Sequence, residues 1–336
     1  MVNWNLQNRH VLLVDGDSTI PNLALMKMAS WFKQHGNVVD FMKLRIPYYP
    51  NQRGKTQTVD TTGYDLALCS VIFEGAHNFI TGDRLHFGGT GYDITSTAPA
   101  IVMNSESDYS LYPDNDTSYG FLSRGCTRKC YFCVVPQKEG LTKVDETLDQ
   151  IIKHRKVKFL DNNILSLDNH EELLAELVAR QTRCQFMQGL DIRYVTPANS
   201  ALLRDLNYMQ EYIFAFDDWK YRNEMARRIK LLSWRKPWKL KFYVYVAPHM
   251  KLSEHTNRIN WLRDHECLPY IMRDQACWGS EYQDFYTDLA AWCNQPALFK
   301  NLDFYTFLAR RHKTTKDPQR ETTSANLYKR ATANEL

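Results

Sequence analysis

The sequence predicts an α/β protein built in two parts, an N-terminal doubly wound parallel sheet followed by a partial, open (β/α)6 barrel. Short apolar runs of strand length alternate with longer segments whose apolar residues fall at helical spacing. The alternation breaks at the polar stretch NSESDYSLYPDNDTS and then resumes with a different rhythm. The length of 336 residues, at ~150 residues per domain, also allows two domains. The expected divisions are 1–105 for the first domain, 106–118 for a linker, 119–275 for the barrel, 276–312 for a helical extension and 313–336 for a flexible tail.

In the first domain, VLLVDGD is an apolar run that breaks at Asp15-Gly16. NLALMKMASWFKQHG then has helical spacing, with Gly36 placed as a C-cap. NVVDFMKL and YDLALCSVIF read as the second and third strands, and LHFGGTGYDI as a short fourth strand ending in glycines. Strands separated by helical or long connections imply parallel pairing.

In the second part, strands are expected at SYGFLSRG, VKFLDN, CQFMQG, YIFAFDD, LKFYVYVAP and LPYIMRD. Between them lie the helical patterns LTKVDETLDQIIKHRK, HEELLAELVARQ, PANSALLRDL, NEMARRIKLLSW and EHTNRINWLRDH. Six strands with five intervening helices suit an open barrel, and further helical patterns follow at 281–294 and 302–312.

Hydrophobic residues at 44% and charged residues at 24% argue against disorder. Lys and Arg number 42 against 38 Asp and Glu, and the net charge of +4 is too mild for a dedicated nucleic-acid coat protein. No apolar run approaches the ~18 residues of a membrane span, and MVNWNLQNRHVLLVDGD lacks a signal-peptide layout. A cytoplasmic protein without a membrane partner is therefore expected. In that setting the eight cysteines are expected as thiols, metal ligands or a catalytic cysteine rather than disulfides.

Cys126, Cys130 and Cys133 form C-x3-C-x2-C in SRGCTRKCYFCVVPQKEG, directly after the first barrel strand. Three closely spaced thiolates on a glycine-containing loop can cradle a four-iron four-sulfur cluster. One iron then lacks a protein ligand and is open to a small molecule. The plainer alternatives are a structural zinc site or three unrelated thiols. Structural zinc takes four closed ligands, and only His154, by folding back, offers a fourth nearby.

At these residues the chain resembles the radical S-adenosylmethionine (SAM) superfamily, whose C-x3-C-x-aromatic-C motif is matched with Phe132 in the aromatic position. The resemblance covers the whole expected barrel. It implies that Cys126, Cys130 and Cys133 hold a 4Fe-4S cluster whose open iron chelates the amino and carboxylate groups of SAM. An electron from the cluster would cleave SAM to methionine and a 5′-deoxyadenosyl radical that acts on a substrate. The resemblance also implies a reductant such as a flavodoxin or ferredoxin. The cofactors carry the hard chemistry, and the protein positions and shields them. The substrate and the catalytic residues stay open.

Barrel sites lie at the C-terminal ends of the strands. These ends carry Asp161-Asn162-Asn163, Gln188 with Asp191 and Arg193, Asp217-Asp218, His249, and Arg273-Asp274. Phe132, Asp161, Asn162, Asn163, Gln188, Asp191 and Arg193 are the candidate SAM-binding residues. Asp161-Asn162-Asn163 stands where the family often has a Gly-Gly-Glu stretch contacting the SAM amino group, and here the glycines are absent. In CQFMQGLDIR the strand period places Cys184, Phe186 and Gln188 on one face, so Gln188 points into the cavity if that face is interior. Asp191 and Arg193 on the loop above either hold SAM or a polar substrate, or pair with each other. Each Asp and Asn reads equally well as a loop-initiating or capping residue.

A doubly wound, Rossmann-like domain ahead of such a barrel resembles the cobalamin-binding radical SAM architecture. Gly88-Gly89 and Gly91 fall where that domain places a ligand-facing loop. Its D-x-H-x-x-G signature is not met, because Asp15-Gly16-Asp17-Ser18-Thr19-Ile20 has neither the His nor the Gly. Cobalamin is therefore not expected, and a domain kept for substrate shaping or docking is. The cluster segment is also similar to that of radical SAM methylthiotransferases. Those proteins add three N-terminal cysteines and an RNA-binding domain, whereas this N-terminal domain has only Cys69.

Cys267, Cys277 and Cys293 are spaced loosely for an auxiliary cluster and read as scattered buried thiols. Residues 222–241 are basic and include Trp234 and Trp238, a pattern that suits nucleic acid. The segment follows the fourth barrel strand as its helix and returning loop, which favours a solvated face with snorkelling Arg and Lys. Beside a radical SAM enzyme of open substrate stand two alternatives. One is a radical SAM enzyme of methylthiotransferase or methyltransferase type that modifies nucleic acid. The other is a nucleic-acid-binding protein with a structural cluster.

Overall fold

In a computed structural model, which describes residues 2–47 and 52–334, the apolar run Val11 to Val14 forms the centre of β1 (His10–Asp15) and is buried on both faces. α1 (Leu23–Gln34) follows, with the Asn22 side chain accepting from the Leu25 amide as its N-cap. β2 (Val38–Lys43), β3 (Leu66–Ser70) and β4 (Leu85–Gly88) complete a parallel sheet in the order β2-β1-β3-β4. Val11 and Leu13 pack with Leu25, Met26, Ala29 and Phe32 of α1. Leu12 and Val14 pack with Ile46, Val59, Val71 and Ile80, so connecting segments cover the sheet's other face.

The chain divides into two compact units that interleave in sequence. The first comprises residues 1–120, 131–139 and 146–157, and the second 121–130, 140–145 and 158–336. The expected linker at 106–118 is part of the first unit. Leu111 is buried, and the Tyr112 hydroxyl donates to the Asp15 carboxylate at 2.8 Å. A buried tie of this kind is invisible to a reading of polar composition.

The six later strands expected from the sequence all form. They are β5 (Thr117–Gly120), β6 (Lys156–Phe159), β7 (Arg183–Phe186), β8 (Tyr212–Ala215), β9 (Leu240–Val246) and β10 (Leu268–Arg273). α2 (His170–Ala179), α3 (Pro197–Asp205), α4 (Arg222–Leu231) and α5 (Leu252–Asp264) alternate with the strands from β6 onward. β6 neighbours β7, and β8-β9-β10 form a parallel sheet. Isolated parallel bridges join Cys184 to Tyr208 and Leu190 to Phe214. Phe214, Phe242, Val244 and Ile271 lie on the buried face of that sheet, while Tyr243, Tyr270 and Met272 lie on its more open face.

Two expected segments differ. LTKVDETLDQIIKHRK does not form one helix: Lys143–Val144 pairs antiparallel with Ser123–Arg124. Thr147 and Gln150 then make a capping box that starts only the single turn Leu148–Ile151. The tail beyond 312 is helical rather than frayed. α6 (Gln283–Cys293), α7 (Pro296–Asn301) and α8 (Phe304–Thr315) lead into α9 (Pro318–Thr332), which buries Ser324, Tyr328 and Ala331. Asp288 of α6, fully buried, gathers Arg311, His312, Arg320 and the Ser324 hydroxyl. Arg320, from the segment expected as a flexible tail, thus joins Arg311 and His312 on one carboxylate. Among the described residues no helix is long and apolar enough to cross a membrane.

Candidate functional site

After β5 the chain runs into the two-residue strand Ser123–Arg124, whose antiparallel partner Lys143–Val144 closes the base of the cysteine loop. Gly125 turns the chain at φ 82°, and a Cβ there would stand 2.2 Å from the Leu141 carbonyl oxygen. Only glycine fits that turn. The Cys126 amide then donates to the Gly140 carbonyl at 3.1 Å, and Thr142 Oγ1 meets Ser166 Oγ at 2.8 Å.

Asp161, just past β6, holds this base through the residues that lead into it. Its carboxylate is 1% exposed and accepts from the Ser123 amide at 2.5 Å, the Ser123 hydroxyl at 2.7 Å and the Leu122 amide at 3.3 Å. Burial pushes its pKa up to about 6 against the pull of those bonds. Both carboxylate oxygens are therefore engaged by the chain leading into the cysteine loop. Asn163 is 2% exposed; its Oδ1 accepts from the Asp191 amide at 3.2 Å, and its Nδ2 is buried without a partner. An orphaned donor of this kind is what a polar ligand would satisfy. Asn162 is half-buried.

Asp191 is a second hub. It accepts from the Arg193 amide at 3.1 Å, takes the Arg193 guanidinium at 2.7 and 2.8 Å, and takes Arg128 Nε at 2.7 Å. Burial alone would raise its pKa, but hydrogen bonding and charge from Arg193, joined by Arg128, hold the carboxyl below its usual range. Arg128 lies between Cys126 and Cys130, and its own amide donates to Cys126 Sγ at 3.4 Å. The Thr127 and Tyr194 hydroxyls are 3.0 Å apart, and the Arg193 guanidinium lies 4.4 Å from the Tyr221 ring centre. Of the two readings open for Asp191 and Arg193, the geometry displays their mutual pairing and extends it to the cysteine loop.

β7 ends at Phe186, earlier than the alternation suggests, and Phe186 stacks on buried Phe159 at 5.5 Å. The face of Cys184 and Phe186 is therefore core, and Gln188 lies exposed beyond the strand end. Gln185, of opposite parity, is 2% exposed with an unpartnered Oε1, and no motif in the sequence marks it. Asp218 and Asp274, like Asp191, accept from the amide two residues on and cap short 3-10 turns. Asp217 accepts from the Tyr245 amide at 3.0 Å, and burial raises its pKa. Another overlooked residue is Arg258, fully buried, which donates to the Phe216 and Tyr245 carbonyls at 2.9 and 2.8 Å. Nothing in a helical Arg between Asn257 and Ile259 signals that role.

The eight cysteines sort by exposure. Cys126, Cys130 and Cys133 are partly accessible, and the other five are buried. Burial pushes the thiols of Cys69, Cys184, Cys267 and Cys277 up to about 12, and raises that of Cys293 as well. Such thiols stay protonated and inert. Cys126 and Cys130 belong to the second unit, and Phe132 and Cys133 to the 131–139 segment of the first. Among the described residues no group of three or more His, Cys, Asp or Glu side chains is arranged to hold a metal ion. The fit to a three-thiolate cluster therefore rests on the spacing and accessibility of these donors.

In the first unit, the Asp17 carboxylate accepts from the Ile72 and Phe73 amides at 2.7 and 2.8 Å. Asp17 stands where the cobalamin signature has its histidine, so this strand end does not fit cobalt ligation through His. A Cβ at Gly89 would lie 2.3 Å from the Val71 carbonyl oxygen, and one at Gly91 would lie 2.4 Å from that of Phe73. These two glycines let backbones approach, while Gly88 has open space around it. Neither a scan against protein-family models nor a search of curated proteins finds a match to this chain.

Proposed function

We propose that the chain is a radical SAM enzyme in which Cys126, Cys130 and Cys133 hold a 4Fe-4S cluster and SAM occupies the open iron. One observation carries the reading: of eight cysteines, burial leaves accessible the three that share C-x3-C-x2-C spacing. When bound, the cluster and SAM supply a 5′-deoxyadenosyl radical, given an electron from a flavodoxin or ferredoxin. Gly125, Gly140 and Asp161 fix the base of the loop, and Asp191 braces it through Arg128. The unpartnered Asn163 Nδ2 suits the carboxylate of a zwitterion such as SAM, with Phe132, Asn162 and Gln188 as further candidates. Neighbouring strands that follow chain order from β6 to β10 are in keeping with an open (β/α)6 barrel. The first unit would shape or dock the substrate.

A second reading, a nucleic-acid substrate, draws on residues 222–241, which hold eight basic residues against one glutamate. Arg227, Lys230, Lys236 and Lys239 there are exposed. The test of the main reading is anaerobic reconstitution with iron and sulfide, reduction, and chromatographic detection of 5′-deoxyadenosine from SAM. Salt-sensitive RNA binding by a protein that holds iron but never cleaves SAM would instead favour a structural cluster.

A further inference from the structure

We propose that the triad Arg128–Asp191–Arg193 sets the electron affinity of the cluster by holding a net charge of +1 against the cysteine loop, with Arg193 as the tuning residue. The inference rests on the reading of the cysteines as cluster ligands. Two guanidiniums share one carboxylate at 2.7 Å each, so one positive charge is left over. The triad is fixed to the loop at its ligands, because Arg128 sits between Cys126 and Cys130 and its amide donates to Cys126 Sγ at 3.4 Å. Asp191 holds the Arg193 guanidinium with two hydrogen bonds, Nε at 2.7 Å and a terminal nitrogen at 2.8 Å. The side chains of Asp191, Arg193 and Arg128 are only 11%, 20% and 32% exposed, so water screens this charge less than it would a surface pair.

Reduction adds one negative charge to a cluster. A fixed positive charge nearby favours the reduced form and raises the potential, and hydrogen bonds to the sulfurs act in the same direction. The alternative is that the triad merely packs the loop. Loosening the loop would shift the potential the same way whichever member is removed. An electrostatic role requires opposite signs.

The experiment is a redox titration of the reconstituted protein, followed by electron paramagnetic resonance, with iron per chain measured first. Arg193→Gln takes the net charge to zero and should lower the midpoint potential. Asp191→Asn takes it to +2 and should raise the potential, while Arg193→Lys should stay near wild type. Potentials that are unchanged, or that move together in Arg193→Gln and Asp191→Asn, overturn the triad's role and leave the cluster assignment standing. A wild-type chain that takes up no cluster overturns both. If Asp191→Asn alone loses its iron, the Arg193 pair decides: a fall in Arg193→Gln but not in Arg193→Lys supports the role, and equal shifts overturn it.

Discussion

Arg128 reaches out of the cysteine loop to Asp191, Nε to Oδ2 at 2.7 Å, and so ties a residue between two motif cysteines to the turn that follows β7. Asp161 grips the residues leading into the same loop. Two strand-end carboxylates thus act on the cysteine segment from separate connections. Both belong to the rim that the sequence marks as a ligand site.

The turn at Gly125 gives a direct test of the loop's geometry. Gly125→Ala puts a Cβ against the Leu141 carbonyl at φ 82° and should strain the loop by about 1–3 kcal/mol. We expect iron uptake after reconstitution to fall several-fold while the circular dichroism spectrum stays unchanged. Wild-type iron content in this variant would show that the loop does not depend on the turn.

Asp161 should leave a signature in the pH dependence of stability. Burial pushes its folded pKa up to about 6, above the ordinary value of 3.8. Below about pH 3.8 the acid is neutral in both states, and between the two values only the folded chain keeps the proton. The stabilisation held at low pH is therefore lost as pH rises through about 6, by about 3 kcal/mol in all. Urea unfolding from pH 4 to 7 should show the advantage of wild type over Asp161→Asn shrinking across this window. Parallel curves would contradict the buried, raised carboxyl.

The C-terminal helix offers a third test. Removing residues 318–336 strips Arg320 and Ser324 from buried Asp288 and uncovers the aromatic contacts of Tyr328. Arg311 and His312 stay on Asp288, and each lost hydrogen bond to that carboxylate costs about 1.5–3 kcal/mol. The truncated chain should melt well below the full one, and an unchanged melting temperature would return this segment to the status of a loose tail.

Much of this architecture was readable in advance, because apolar runs such as VKFLDN and LKFYVYVAP are buried strands whose length and composition suffice. The misses share a cause. Lys143–Val144 became a strand through pairing with Ser123–Arg124, twenty residues earlier, which no local pattern encodes. The helix from Pro318 was hidden by its polar composition, although Ser324, Tyr328 and Ala331 fall at helical spacing. At the site, the cysteine motif was legible from spacing alone. The partners of Asp161 and Asp191 were not, since Leu122, Ser123 and Arg128 are brought to them by the fold.

The most direct measurement is iron and sulfide content per chain after anaerobic reconstitution, compared across single cysteine variants. Wild type and Cys69→Ala should each hold a full four-iron cluster, while Cys126→Ala, Cys130→Ala and Cys133→Ala should each lose most of the iron, because each removes one of three protein anchors. A full cluster in any of those three variants, or no cluster in the wild-type chain, would contradict the assignment.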